Sequence, residues 1–95
     1  MIKVAIIGAG RGGTSLIEIL HNDPFVKIIG VAEIDPRAPG IKLAQKLSIP
    51  ITTQYTRFLH PRKVDIIIDV TGNKSVERAL LKQVPPGISV IGGSV

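Results

Sequence analysis

The sequence predicts an α/β fold, a doubly wound parallel sheet of about five strands in the order 3-2-1-4-5 with helices on both faces. Apolar runs alternate with helix-periodic segments along the chain, which implies right-handed crossovers and parallel strands. The chain is 44% hydrophobic but only 3% aromatic. Its apolar content is therefore Ile, Val, Leu and Ala, the composition of strands buried on both faces. The opening strand also runs directly into a glycine cluster that begins a helix.

Lys3–Ile7 is a short aliphatic run closed by Gly8 and reads as a buried strand. From Thr14 to Asn22 the periodicity is helical, with Leu16, Ile19 and Leu20 expected inward and Glu18 and His21 outward, and Asn22-Asp23-Pro24 ends the helix. Val26–Ile34 is the second strand, ended by Asp35-Pro36, and a Pro/Gly loop over 37–40 leads to a helix over Ile41–Leu47 with Leu43, Ala44 and Leu47 inward. Ile49-Pro50-Ile51-Thr52 is a weak strand, placed at an edge by its proline. One helical turn is expected within Gln54–Arg62. Asp65–Val70 is the clearest strand, Thr71-Gly72-Asn73 a loop, and Ser75–Val84 a helix burying Val76, Ala79, Leu80 and Val84. Pro85-Pro86-Gly87 breaks it, and Ile88–Ile91 is the last strand.

With 95 residues and no cysteine, the chain has material for a single domain, 1–95, and holds no disulfide framework, thiolate metal site or cysteine nucleophile. The longest uncharged stretch, Gln83–Val95, is too short and too broken by Pro85, Pro86 and three glycines to span a bilayer. Arg11 cuts short the apolar start, so no secretion signal is read there, and a cytoplasmic location is expected. The net charge of +5 favours anionic ligands. Basic residues are spread evenly, six in residues 1–48 and six in 49–95, and stacking aromatics are scarce, so neither nucleic acid nor membrane is expected as a partner.

Gly8-Ala9-Gly10-Arg11-Gly12-Gly13 has the spacing G-x-G-x-x-G between a strand and a helix, with an acid downstream. In this pattern Gly8 permits the tight turn, Gly10 lets a pyrophosphate approach the backbone, and Gly13 lets helix and strand pack closely. The anion sits on free N–H groups at the positive end of the helix. Glu33, twenty residues beyond Gly13, ends the second strand, where a carboxylate accepts hydrogen bonds from ribose hydroxyls and repels a 2′-phosphate. NAD is thus favoured, with NADP possible. Asp35 is the alternative ribose ligand if the strand ends later, and Arg37 or Arg11 can pair with a 2′-phosphate. The plain alternative is that the glycines make only a turn and Glu33 is a solvated strand end. In a doubly wound sheet the ligand crevice lies between strands one and four, which places Thr71, Gly72 and Asn73 on its far side. Asn73 or Ser75 can equally be just the cap of the following helix. The Thr14 hydroxyl, in the first helical turn, is a further phosphate candidate.

His21 and His60 read as surface histidines. Asp65 and Asp69 share a strand face, where capping or a salt bridge to Lys63 is the simpler reading than a paired-carboxylate site. No catalytic residue and no metal site is identified.

The stretches 4–13, Ile29-Gly30-Val31-Ala32-Glu33 and 64–73 resemble the N-terminal NAD(P)-binding Rossmann half of one oxidoreductase group. That group includes the glucose-fructose oxidoreductase/inositol dehydrogenase family, dihydrodipicolinate reductase, and homoserine and aspartate dehydrogenases. It commonly reads Val-Ala-Asp at the end of strand two, so Glu33 is a conservative departure. In the sugar-dehydrogenase branch a Glu-Lys-Pro motif with a catalytic lysine follows strand five, where this chain has Gly92-Gly93-Ser94-Val95. A looser resemblance is to Rossmann-type modules ahead of sensory and histidine-kinase regions in bacterial proteins.

The resemblance implies the cofactor-binding part of an NAD(P)-dependent oxidoreductase acting on a small metabolite. A C-terminal substrate domain is expected to be lacking from these 95 residues, which are expected to hold no complete active site. The alternatives are a non-catalytic nucleotide-sensing module and a domain that keeps the turn only as architecture. Without a covering helix, Ile88, Val90 and Ile91 are expected to expose an apolar face, for which a homodimer or a further domain is the remedy.

Overall fold

The computed structural model describes residues 1–92. Strands β1 (Ile2–Ile7), β2 (Val26–Ala32), β3 (Ile51–Thr52), β4 (Ile66–Asp69) and β5 (Ser89–Gly92) form one parallel sheet in the order β3-β2-β1-β4-β5. This is the doubly wound order expected. Helices α1 (Arg11–His21), α2 (Pro39–Lys46) and α3 (Lys74–Gln83) follow β1, β2 and β4, and a 3-10 turn, η1 (Tyr55–Phe58), stands between β3 and β4.

Alternating side chains of the strands feed two apolar layers. Val4, Ile6 and Val31 pack with Ile17 of α1 and Ala44 of α2. Ala5, Ile7, Ala32 and Ile67 pack on the other face with Leu80 of α3 and Phe58 of η1. Helical elements thus cover both faces. Ile6, Ile17, Ile67 and Leu80 are completely buried, each contributing roughly 1.5–3 kcal/mol by leaving water. Among the described residues no helix is long and apolar enough to cross a membrane.

Several boundaries differ from expectation, each for a local reason. α1 begins at Arg11, not Thr14, because Gly13 docks against the end of β1 and brings the glycines into the first turn. β2 ends at Ala32, not Ile34, since its pairing with β1 runs out at Ile7. α2 starts two residues early, at Pro39, whose fixed φ suits a first helical position. β3 is only two residues long and, as expected, lies at the sheet edge.

The inward face of α1 is corrected: Ile17 is fully buried and Ile19 is exposed. Gly13, Leu16, Ile17 and Leu20 make the i, i+3, i+4, i+7 stripe, and Ile19 lies almost opposite Ile17. The last strand is corrected too. Ile88 is buried and Val90 packs against the same core, leaving only Ile91 exposed.

β2 carries a bulge. Val4 pairs with Ile28 but Ala5 pairs with Gly30, so Ile29 is an extra residue. Ile29 packs into the η1 layer, and a Cβ on Gly30 would come within 2.8 Å of the Phe58 ring. Two consecutive residues therefore address one face.

Candidate functional site

The carboxyl ends of β1, β2 and β4 converge around the glycine turn. Gly8 adopts φ +107°, a conformation that L side chains rarely adopt, and its N–H donates to the Ala32 carbonyl at 2.8 Å. A side chain on Gly13 would collide with the Gly8 carbonyl oxygen, so the close approach of α1 to β1 requires a glycine there. Gly10 is different. A Cβ on it would meet no protein atom within 4 Å, so the packing of the chain makes no demand for glycine at this position.

Gly10 is the N-cap of α1 and offers no side-chain cap. Thr14 N–H donates to the Gly10 carbonyl at 2.9 Å, and among the described residues the N–H groups of Gly10, Arg11, Gly12 and Gly13 have no acceptor. Such orphan donors, at the positive end of a helix dipole, form an anion site. The Thr14 hydroxyl donates back to the Gly10 carbonyl at 2.7 Å, so its proton is already used. Arg11 is exposed on the first turn.

Glu33 lies one residue past β2. Its Oε1 accepts from Ala9 N–H at 2.7 Å and its Oε2 from Asp35 N–H at 3.1 Å. The carboxylate is thereby held against the glycine turn, with acceptor capacity left on both oxygens. Asp35 turns to its own loop, accepting from Arg37 N–H at 2.9 Å, with Arg37 Nε 3.6 Å away. The Arg37 side chain is 92% exposed.

On the far side, Asp69 is buried and accepts from both Thr71 N–H at 2.9 Å and the Thr71 hydroxyl at 2.7 Å. Gly72 then takes φ +65°. Asn73 caps α3, its Oδ1 accepting from Ser75 N–H at 2.8 Å and Val76 N–H at 3.2 Å. Asp65 accepts from Lys3 N–H at 2.8 Å and forms no pair with Lys63. His21 and His60 are both exposed.

These walls enclose a cleft of about 530 Å³. Of the residues singled out in the sequence, Gly8, Gly10, Glu33, Thr71 and Asn73 line it. Ala9, Gly12 and Gly13 lie in the turn and first helical turn next to Gly10, and like Arg11, Asp35, Arg37 and Gly72 they are not among its lining residues. Sequence reasoning missed the third wall, Thr53-Gln54-Tyr55-Thr56 at the start of η1, together with Ile34 and Val76. Its signal was positional: it follows the carboxyl end of β3, and such folds bind ligands outside the carboxyl ends of their strands. The Tyr55 hydroxyl donates to Gln83 Oε1 at 2.7 Å, fastening this wall to α3.

A doubly wound sheet with this turn, an acid at the end of β2 and a cleft at the β1/β4 crossover defines a Rossmann-type NAD(P)-binding domain. Residues 2–94 match the family described as "Dihydrodipicolinate reductase, N-terminus". The chain belongs to that family. Its sequence is also similar to Acetaldehyde dehydrogenase 1 of Pseudomonas putida, 33% identical over 97 residues, covering 95% of this chain and 31% of that protein. Acetaldehyde dehydrogenase of Thermomicrobium roseum is 36% identical over 76 residues, covering 78% of this chain and 25% of the relative. Among solved structures, GenD2 from gentamicin A biosynthesis, in complex with NAD, superposes with a TM-score of 0.73 at 24% identity, over 94% of this chain and 26% of that one. This chain spans under a third of the length of these curated relatives.

Proposed function

We propose that this chain is the cofactor-binding part of an NAD-dependent dehydrogenase acting on a small metabolite, with residues 1–95 acting as one domain. The observation that carries this is Gly10: its free space and the unpartnered amides of the α1 start coincide at the cleft, so that glycine fits a ligand and not the chain's own packing. The N–H groups of Gly10, Arg11, Gly12 and Gly13 bind the diphosphate, with Gly8 and Ala9 holding the turn. Glu33 accepts the ribose hydroxyls, and its charge opposes a 2′-phosphate, favouring NAD over NADP. Asp35 and Arg37, engaged with each other, form the outer lip beside it. Thr71, Gly72 and Asn73 bound the opposite end, and Ile34, Tyr55 and Val76 supply apolar walls that exclude water. When bound, the nicotinamide supplies the ring carbon that takes or gives a hydride.

Substrate recognition and proton transfer are assigned to protein outside these residues, in keeping with relatives more than three times as long. Those relatives are named as dehydrogenases, which favours this reading over a sensing module. The test is calorimetric titration with NAD, NADH, NADP and NADPH, with Gly10→Asp as control. NAD or NADH should bind more tightly than the phosphorylated pair, and Gly10→Asp should weaken binding about 100-fold or more while melting no lower than wild type. Binding of none of the four overturns the proposal.

A further inference from the structure

The peptide group that joins Ala9 to Gly10 is held by a residue outside the glycine motif. Gly40, in the first turn of α2, donates its N–H to the Ala9 carbonyl at 2.7 Å. A Cβ on Gly40 would lie 2.8 Å from that oxygen, 3.0 Å from Ala9 Cβ and 3.1 Å from Ala9 Cα, so α2 can approach the turn this closely only with glycine there. Gly40 is itself buried and does not line the cleft.

In a planar trans peptide the C=O and the N–H point in opposite directions. Because the Ala9 carbonyl is drawn toward α2, the N–H of the same peptide unit, that of Gly10, is turned the other way. Gly10 lines the cleft, and its N–H has no acceptor among the described residues. The preceding peptide is fixed by the same logic. Ala9 N–H is held by Glu33, and the Gly8 carbonyl opposite is the oxygen that a side chain on Gly13 would strike. Both peptides flanking Ala9 are thus set by partners on three other segments: the end of β2, α1 and α2.

Resting on the cofactor-binding reading above, we propose that Gly40 is a positioning residue for diphosphate recognition. Through the Ala9 carbonyl it orients the Gly10 amide toward the anion without touching the ligand. Pre-orientation of this kind matters because a charge-assisted hydrogen bond weakens steeply with misalignment.

The test compares wild type, Gly40→Ala and Ile67→Val, the last a core truncation away from the turn that serves as a stability control. Each is titrated with NAD, ADP and adenosine, following amide resonances by NMR. Gly40→Ala should weaken NAD and ADP about tenfold, the loss of roughly one charge-assisted hydrogen bond, while adenosine, which carries no phosphate, binds as to wild type. Ile67→Val should lower stability and leave all three affinities unchanged. Wild-type affinity of Gly40→Ala for ADP, or an equal loss of adenosine, overturns the proposal. Should Gly40→Ala not fold, hydrogen exchange on wild type decides: the Gly40 amide should gain protection with ADP and none with adenosine, and no gain with ADP overturns the idea. If wild type binds neither NAD nor ADP, the cofactor reading itself has failed, an outcome distinct from a Gly40 variant that matches wild type.

Discussion

The starts of α1 and α3 occupy equivalent places in the fold and are finished in opposite ways. Each helix springs from the carboxyl end of a central strand, β1 or β4, after a glycine with positive φ, Gly8 or Gly72. At α3 the Asn73 side chain satisfies two of the free amides. At α1 the cap is Gly10, with no side chain to offer, and the amides have no acceptor among the described residues, with Gly10 itself lining the cleft. One helix start is completed by the chain itself and the other is left for a ligand. Helix dipole and strand-end position are common to both, so neither alone makes an anion site; the difference lies in the capping residue.

This contrast can be broken in graded steps. The largest effect is expected from Gly13→Val, which drives a side chain into the Gly8 backbone and should cost about 3 kcal/mol or more, read as an early urea midpoint. Gly10→Asp should not lower that midpoint, since aspartate is itself a good N-cap, and should lower NAD affinity by about 100-fold or more, since it places a carboxylate where the diphosphate belongs. Glu33→Gln keeps an acceptor for Ala9 N–H but removes the charge. It should narrow the NAD-over-NADP preference by about tenfold, measured as a ratio of dissociation constants. Asn73→Ala should remove about 1 kcal/mol of stability as a lost cap and leave NAD affinity near wild type. A large loss of affinity there would mean that the α3 start also serves the ligand. The smallest step is Gly10→Ser, which gives α1 the kind of cap that α3 has. A few tenths of a kcal/mol of added stability is expected, together with weaker NAD binding, and tighter binding would contradict the division between the two helix starts.

Much of this was legible because it is written in spacing. The glycine motif, Glu33 at its proper distance and the aliphatic runs of β1 and β4 rest on local periodicity and on rules that hold across folds. What was not legible depends on contacts distant in sequence. Glycines resist helix formation, so nothing local announces that α1 begins at Arg11; the docking of Gly13 on Gly8 decides it. Ile17 and Ile19 are equally apolar, and the stripe they compete for is anchored by Gly13, a residue with no side chain to mark a face. The η1 wall is short and polar, so it carries no amphipathic pattern. Gly40 sits in a loop-like Pro-Gly pair whose role appears only when α2 meets Ala9.

The bulge in β2 behaves like an inserted letter in a reading frame. Before it, Val26 and Ile28 face the α1 and α2 layer; after it, that layer receives Val31, and the even-numbered Ala32 has passed to the opposite one. The frame set by Ile29 is the one in which Glu33, one residue past the strand, comes round to the side of Ala9. An unbulged strand of the same composition would deliver its carboxylate half a period out of phase, toward η1. The acid that faces the glycine turn is therefore aimed by a single surplus residue four positions upstream.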